Sequence, residues 1–287
     1  MNNLLNHPPL VFVLSFLVLW LAERIGGASL IRKRWTLEEK RQDIDVILAA
    51  TLTLLALIIG FSFSMAIDRY NLRKSCEATE ANAIGTEYVR TELLPAADAA
   101  RVRGLLGKYV DQRVLFYTTG DKQRLAQINA DTARLQTELW SAVKDVAAAQ
   151  PTPIVALTVS GMNDVLNSQG YTQAAWWNRI PIAAWSMMAA IALFCNLLVG
   201  YGARDVKAQP LLLLVLPLVV SISFLLIADI DSPRGGVIRV HPQNLISLSE
   251  SLHAHSAGQV TKGSAFFAED YRLEVNGIAA RDKGGDQ

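Results

Sequence analysis

The chain has 287 residues, 51% of them hydrophobic and 18% charged, with 27 basic against 26 acidic side chains and a formal charge of +1. Such a balance supplies no global field to attract nucleic acid or to bind anionic lipid strongly. The apolar residues lie in blocks too long for a water-soluble core, which marks an integral membrane protein.

Residues 1–22 carry no Asp, Glu, Lys or Arg, and their apolar centre runs from Leu10 to Leu21 with Trp20 at one edge. No basic segment precedes this run and no small-x-small cleavage site follows it, so it reads as a retained span and not a secretory signal. Residues 46–67 are 22 uncharged positions, and about 20 residues at a rise of ~1.5 Å cross the hydrocarbon core of a bilayer as a helix. No Pro or Gly stops that helix where it meets Asp68-Arg69-Tyr70-Asn71-Leu72-Arg73, so the membrane helix is predicted to continue as a charged stalk.

The large segment that follows is helical by period. Leu125, Ile128, Thr132, Leu135, Leu139, Ala142 and Val146 repeat at 3-4 spacing with polar residues between them, a stripe that needs a partner helix. Residues 101–118 supply one through Val102, Leu105, Leu106, Tyr109, Val110, Val114 and Leu115, and Gly120-Asp121 marks the turn. Pro151 and Pro153 separate the striped helix from residues 154–178, which lead through Trp176, Trp177 and Arg179 into 24 uncharged positions at 180–203. The tryptophans fit a membrane-interface belt. A further 19 uncharged positions occupy 210–228. The predicted fold is therefore all-α, a polytopic membrane protein with four transmembrane helices, two of them extended into a soluble helical bundle. It divides into a first membrane pair with a basic loop (1–67), a helical extramembrane domain (68–179), a second membrane pair (180–229) and a C-terminal appendage (230–287). Around the start of the appendage, 229–236 is a turn, 237–240 a brief extended stretch and 242–255 a short amphipathic helix. Residues from 258 onward are expected to be loose, with 283–287 disordered.

The two short loops between paired spans hold Arg24, Arg32, Lys33, Arg34, Lys40, Arg41, Arg204 and Lys207, eight basic residues against six (Arg69, Arg73, Lys74, Arg179, Arg234 and Arg239) flanking the spans on the other side. Short basic loops favour the cytoplasm, which directs the large domain to the periplasm or exterior. Cys76 and Cys195 are too few, and too unlike in depth, for a disulfide framework, and read as free thiols.

Catalytic signatures are absent: there is no Walker A loop, dinucleotide glycine fingerprint, Gly-x-Ser-x-Gly elbow, His-Glu-x-x-His or CxxC. His241, His253 and His255 have no carboxylate or thiol at ligand spacing, so no metal or cofactor is expected. The richest polar set lies on the stalk beyond the second span: Asp68, Arg69, Arg73, Lys74, Glu77, Glu80, Asn82, Glu87, Arg90 and Glu92. One reading is a solvated helix face with i,i+4 ion pairs; the other is the charged mouth of a water-filled entrance. Within the span, Thr53, Leu57 and Phe61 recur every four residues on one face. That face is packing in a lone bundle, or a constriction that can dewet if several copies surround an axis.

The run Gly60-Phe61-Ser62-Phe63-Ser64-Met65-Ala66-Ile67-Asp68-Arg69-Tyr70, then Arg73 and Glu80-Ala81-Asn82-Ala83-Ile84-Gly85-Thr86, resembles a bacterial bestrophin-like membrane protein family of unknown function. Leu93-Leu94-Pro95 and the turn Asp229-x-Asp231-x-Pro233-Arg234-Gly235 extend the likeness from the first span to about residue 252. The family is distantly similar to bestrophin ion channels, in which the second helix lines a pentameric pore with three apolar neck residues. The resemblance implies that Thr53, Leu57 and Phe61 form the pore constriction, with Thr53 departing from the apolar pattern, and that Asp68, Arg69, Arg73, Glu77 and Glu80 stand at the pore mouth. Only Asp229 and Asp231 remain of the acidic run that helps bind calcium in animal bestrophins, so calcium gating is not implied. Bestrophins keep the large insert in the cytoplasm, against the orientation that the loop arginines favour here.

Two functions follow as expectations: a homo-oligomeric ion channel, or a non-conducting membrane scaffold or sensor whose helical domain docks a partner. An enzyme is not expected. The implied partners are the lipid bilayer, further copies of the chain and small ions, in the bacterial inner membrane.

Overall fold

The computed structural model describes residues 5–28, 39–202 and 210–256, and every regular element among them is helical. In chain order these are α1 (Pro8–Gly26), α2 (Glu39–Arg90), a short 3-10 turn (Thr91–Leu93), α3 (Ala96–Thr118), α4 (Lys122–Ala149), α5 (Pro153–Trp177), α6 (Ile182–Gly202), α7 (Pro210–Leu213), α8 (Val215–Asp231) and α9 (Gln243–Ser256). The loop cations Arg32, Lys33, Arg34, Arg204 and Lys207, and the tail from 258 onward, lie outside the described residues. The chain forms two compact units, the first comprising residues Met1–Thr79, Gly120–Lys122 and Asn167–His241, the second Glu80–Thr119, Gln123–Leu166 and Pro242–Gln287.

The first unit holds the apolar helices. Its α1 packs against α6 and α8, with Leu19, Leu55, Ala66, Met188, Ala192, Cys195, Phe224 and Ile227 in the shared core. Glycines set the α1–α6 approach: a Cβ on Gly26 would run into the Leu197 carbonyl, and one on Gly200 into the Glu23 carbonyl. Backbones this close leave no room for a side chain, the usual role of small residues where membrane helices cross.

Three helical stretches among the described residues are long and apolar enough to cross a membrane: Pro8–Gly26, Asp45–Leu93 and Pro153–Gly202. The second of these contains the apolar part of α2, a helix that runs without a break for 52 residues to Arg90, as expected from the absence of a helix breaker at 68–73. The third is interrupted. Asn178 N–H still closes the last turn of α5 on the Ala174 carbonyl (3.0 Å), and the Pro181 carbonyl then accepts from Ala184 (3.0 Å) as α6 begins. Proline disfavours the helical conformation in the residue before it, so Ile180 is the natural break. The expected fourth span is also divided. Pro217 cannot donate to the Leu213 carbonyl and its ring crowds that oxygen, so α7 ends at Leu213 and α8 restarts with Leu218 bonded to Leu214 at 3.1 Å.

The second unit is an antiparallel helical bundle. Arg101 faces Asp145 (3.8 Å) and Tyr109 faces Gln136 (3.4 Å), which fixes α3 against α4 head to tail. Arg103 reaches Glu92 (3.2 Å) and Arg113 reaches Glu80, which sets α3 antiparallel to the end of α2. The stripe on α4 is used here: Ile128, Thr132, Leu135, Leu139, Ala142 and Val146 are all buried. The stripe is thus covered within the unit by its neighbouring helices. Helix α9 lies on α3 with Leu245, Leu248 and Leu252 inward, and Ser249 donates to Asp111 at 2.6 Å. The stretch expected to extend briefly, residues 237–240, forms no strand.

Candidate functional site

Successive helical residues turn by about 100°, so α2 presents distinct faces along its whole length. Leu55, Ser62 and Ala66 turn into the first unit, whereas Thr53, Leu57 and Phe61 stand together on the outside, Leu57 53% and Phe61 62% exposed. Only 11% of the most apolar window of α2 is buried in the protomer, against 28% for each of the other two spans. The Thr53 hydroxyl donates back to the Ala49 carbonyl at 2.8 Å. Its hydrogen-bonding capacity is thus partly satisfied by its own helix, which moderates its departure from an apolar neck. Beyond Phe61 the same outer face becomes polar, passing through Ser64, Asp68, Asn71 and Ser75, all exposed.

The five residues expected at a pore mouth divide between two faces. Asp68 is exposed and Arg69 half-buried, its Nη1 on the Met65 carbonyl at 3.2 Å. Arg73, Glu77 and Glu80 are 1%, 1% and 0% exposed. The five residues from Asp68 to Arg73 rotate the helix by about 140°, which carries the second group from the outer face to the packed one. The structure thus turns Arg73, Glu77 and Glu80 into the protomer, away from Asp68.

Their environments are specific. Arg73 donates from Nη2 to the Ile230 carbonyl at 2.7 Å and lies within electrostatic reach of Asp231 and Arg179. Asp231 accepts the Ile180 N–H (3.1 Å) and faces Arg179 (3.4 Å), which itself donates to Asn6 at 2.6 Å. Asp229 accepts the Val237 and Ile238 N–H groups, both at 2.8 Å, and a Cβ on Gly236 would collide with it. Asp231 therefore ties the end of α8 to the residues that lead into α6, Asp229 closes the loop that follows α8, and Arg73 ties α2 to the end of α8.

In the second unit, Glu80 receives the Nε and Nη2 groups of Arg113 and the Tyr117 hydroxyl (3.5 Å). Arg113 also stacks on Phe116 at 4.4 Å from the ring centroid. Burial alone would lower the Arg113 guanidinium, but Glu80 and then Tyr109 and Tyr117 outweigh it and hold it above its ordinary value. Burial, reinforced by Glu80, also pushes the Tyr109 phenol up. Arg113 and Tyr117, and the pairing of Arg179 with Asp231 and Asn6, escaped sequence reasoning because the partners are distant in the chain. His253 contacts Asp111 at 3.1 Å, while His255 Nδ1 lies 2.9 Å from the carbonyl of Ser251 on its own helix. No group of three metal-ligating side chains occurs among the described residues.

A family model described as Bestrophin-like domain matches residues 10–245. Among solved structures, a bacterial bestrophin homologue from Klebsiella pneumoniae is 16% identical at a TM-score of 0.62, covering 87% of this chain and 99% of its own. A single-substitution variant of that homologue gives 16% and 0.61 over 86% and 99%. A further structure, described only as that of a membrane protein with one substitution, gives 14% and 0.62, again over 86% and 99%. Comparison with curated proteins found no relative.

Proposed function

The chain belongs to the Bestrophin-like domain family, and from that premise we propose that several copies surround an axis in the bacterial inner membrane and form an ion channel lined by α2. In this reading Thr53, Leu57 and Phe61 are the constriction and Asp68 with Arg69 forms the mouth. Arg73, Glu77 and Glu80 hold α2 in place from within each protomer. The chain then spans the bilayer four times, α7 and α8 together making the fourth crossing.

The observation that carries this reading is the contrast along one outer face of α2. The face is apolar at Leu57 and Phe61 and polar from Ser64 through Asp68 to Ser75, while the opposite face is packed. An apolar ring next to a polar vestibule is the arrangement of a dewetting gate, and cyclic symmetry brings identical faces together around an axis. Purified protein in planar bilayers tests it. We expect ionic currents that Phe61→Ala enlarges or renders leaky, from particles whose native mass is an integral multiple of the protomer. Absence of current in every salt tried, or wild-type currents in Phe61→Ala, would refute the assignment.

A further inference from the structure

Glu80 and Glu87 lie seven residues apart on the same face of α2, and both are fully buried. Their surroundings differ. Glu80 faces the Arg113 guanidinium and the Tyr117 hydroxyl, whereas neither carboxyl oxygen of Glu87 has a hydrogen-bond partner among the described residues. Its ion-pair contact is Arg90, a turn away at 3.9 Å, with that side chain 35% exposed. The carboxyl instead fills a notch in α5 at Gly161, where a Cβ would run into Glu87 Oε2 and Arg90 Nη1.

A carboxylate buried at 0% exposure without donors is among the costliest arrangements in a folded chain, while the neutral acid there is tolerated. We infer that Glu87 is a proton-binding site of the second unit and works as a latch between α2 and α5, closed in the Gly161 notch when neutral and opened when ionised. The charged groups acting on it are Arg90 on its own helix and Asp164 on α5. Those of the other elements are engaged elsewhere: Arg103 of α3 with Thr91 and Glu92, Arg113 with Glu80, and His253 of α9 with Asp111. Burial, opposed by Arg90 and aided by Asp164, raises the Glu87 carboxyl from 4.5 to about 8. Glu87 lies 20 residues beyond the last uncharged position of the span, about 30 Å of helix, so the site belongs to the extramembrane part of α2. The latch is independent of whether the chain conducts.

Infrared spectroscopy of the full chain in detergent tests it, alongside thermal unfolding followed by circular dichroism. At pH 7 the wild-type minus Glu87→Gln difference spectrum should show a protonated-carboxyl carbonyl band that disappears by about pH 9. The unfolding temperature of the wild type should fall between about pH 5 and pH 9, and Glu87→Gln should flatten that fall; Glu87→Met serves if the glutamine variant does not fold. No protonated-carboxyl band in the difference spectrum of wild type against either variant, or an unchanged pH slope in the variants, would overturn the latch.

Discussion

Replacing Arg113 by Met removes the guanidinium from a bundle in which both it and Glu80 are completely shielded from solvent. Two effects compete. The methionine keeps the apolar packing on Phe116, but the Glu80 carboxylate stays buried without the cation that faces it on two nitrogens. Breaking a buried pair from one side costs about 3–5 kcal/mol, whereas replacing both members by well-packed apolar residues is about neutral or stabilising. Arg113→Met should therefore lose about 3–5 kcal/mol in the second unit, and Glu80→Leu combined with Arg113→Met should recover most of it. Guanidinium-induced unfolding in detergent, followed by far-ultraviolet circular dichroism, measures both. A loss under about 1 kcal/mol for the single variant, or a double variant as unstable as the single one, would refute the reasoning that burial makes this pair mutually dependent.

Gly200→Ala places a methyl group against the Glu23 carbonyl, a backbone atom that cannot rotate away, and should cost about 1–3 kcal/mol as overpacking does; thermal unfolding of the purified protein reads it. Asp111→Ala removes the acceptor shared by Ser249 and His253. Because the contact is partly exposed it should cost under about 1 kcal/mol, seen as faster proteolytic nicking within α9. For Glu87 the folded carboxyl sits near 8 against an ordinary value of 4.5, so the native state holds a proton that the unfolded chain releases between those limits. Its contribution to stability is complete below about pH 4.5 and is lost as pH rises through about 8. Denaturant midpoints measured from about pH 5 to pH 9 should decline accordingly.

Much of the fold was legible because it is written in short-range periodicity. The stripe from Ile128 to Val146 is buried position by position, the run past Ile67 continues α2 as expected, and the helix in the appendage appears as Gln243–Ser256. The division of α7 from α8 was also encoded, in Pro217, but an uncharged run of 19 residues masks a break that depends on one missing N–H. At the candidate site, spacing by four placed Thr53, Leu57 and Phe61 on one face, and the structure shows them together on the outside. It also suggested one charged ladder, whereas the rotation of the helix sends Arg73, Glu77 and Glu80 to the packed side. What periodicity cannot carry is the identity of distant partners. The pairing of Glu80 with Arg113, 33 residues on, and of Arg73 with the Ile230 carbonyl, 157 residues on, arises only when helices have found their neighbours.

Whether water reaches the outer face of α2 decides the channel reading. With Cys76 and Cys195 replaced, single cysteines at Leu57 and Phe61 are to be compared in membranes with cysteines at Leu14 and Leu218, exposed apolar positions on α1 and α8. Charged, membrane-impermeant thiol reagents should modify the α2 pair, with loss of current, and leave the other two untouched. If Leu57→Cys and Phe61→Cys prove as inert as the controls under all conditions, α2 faces lipid or protein and lines no aqueous path.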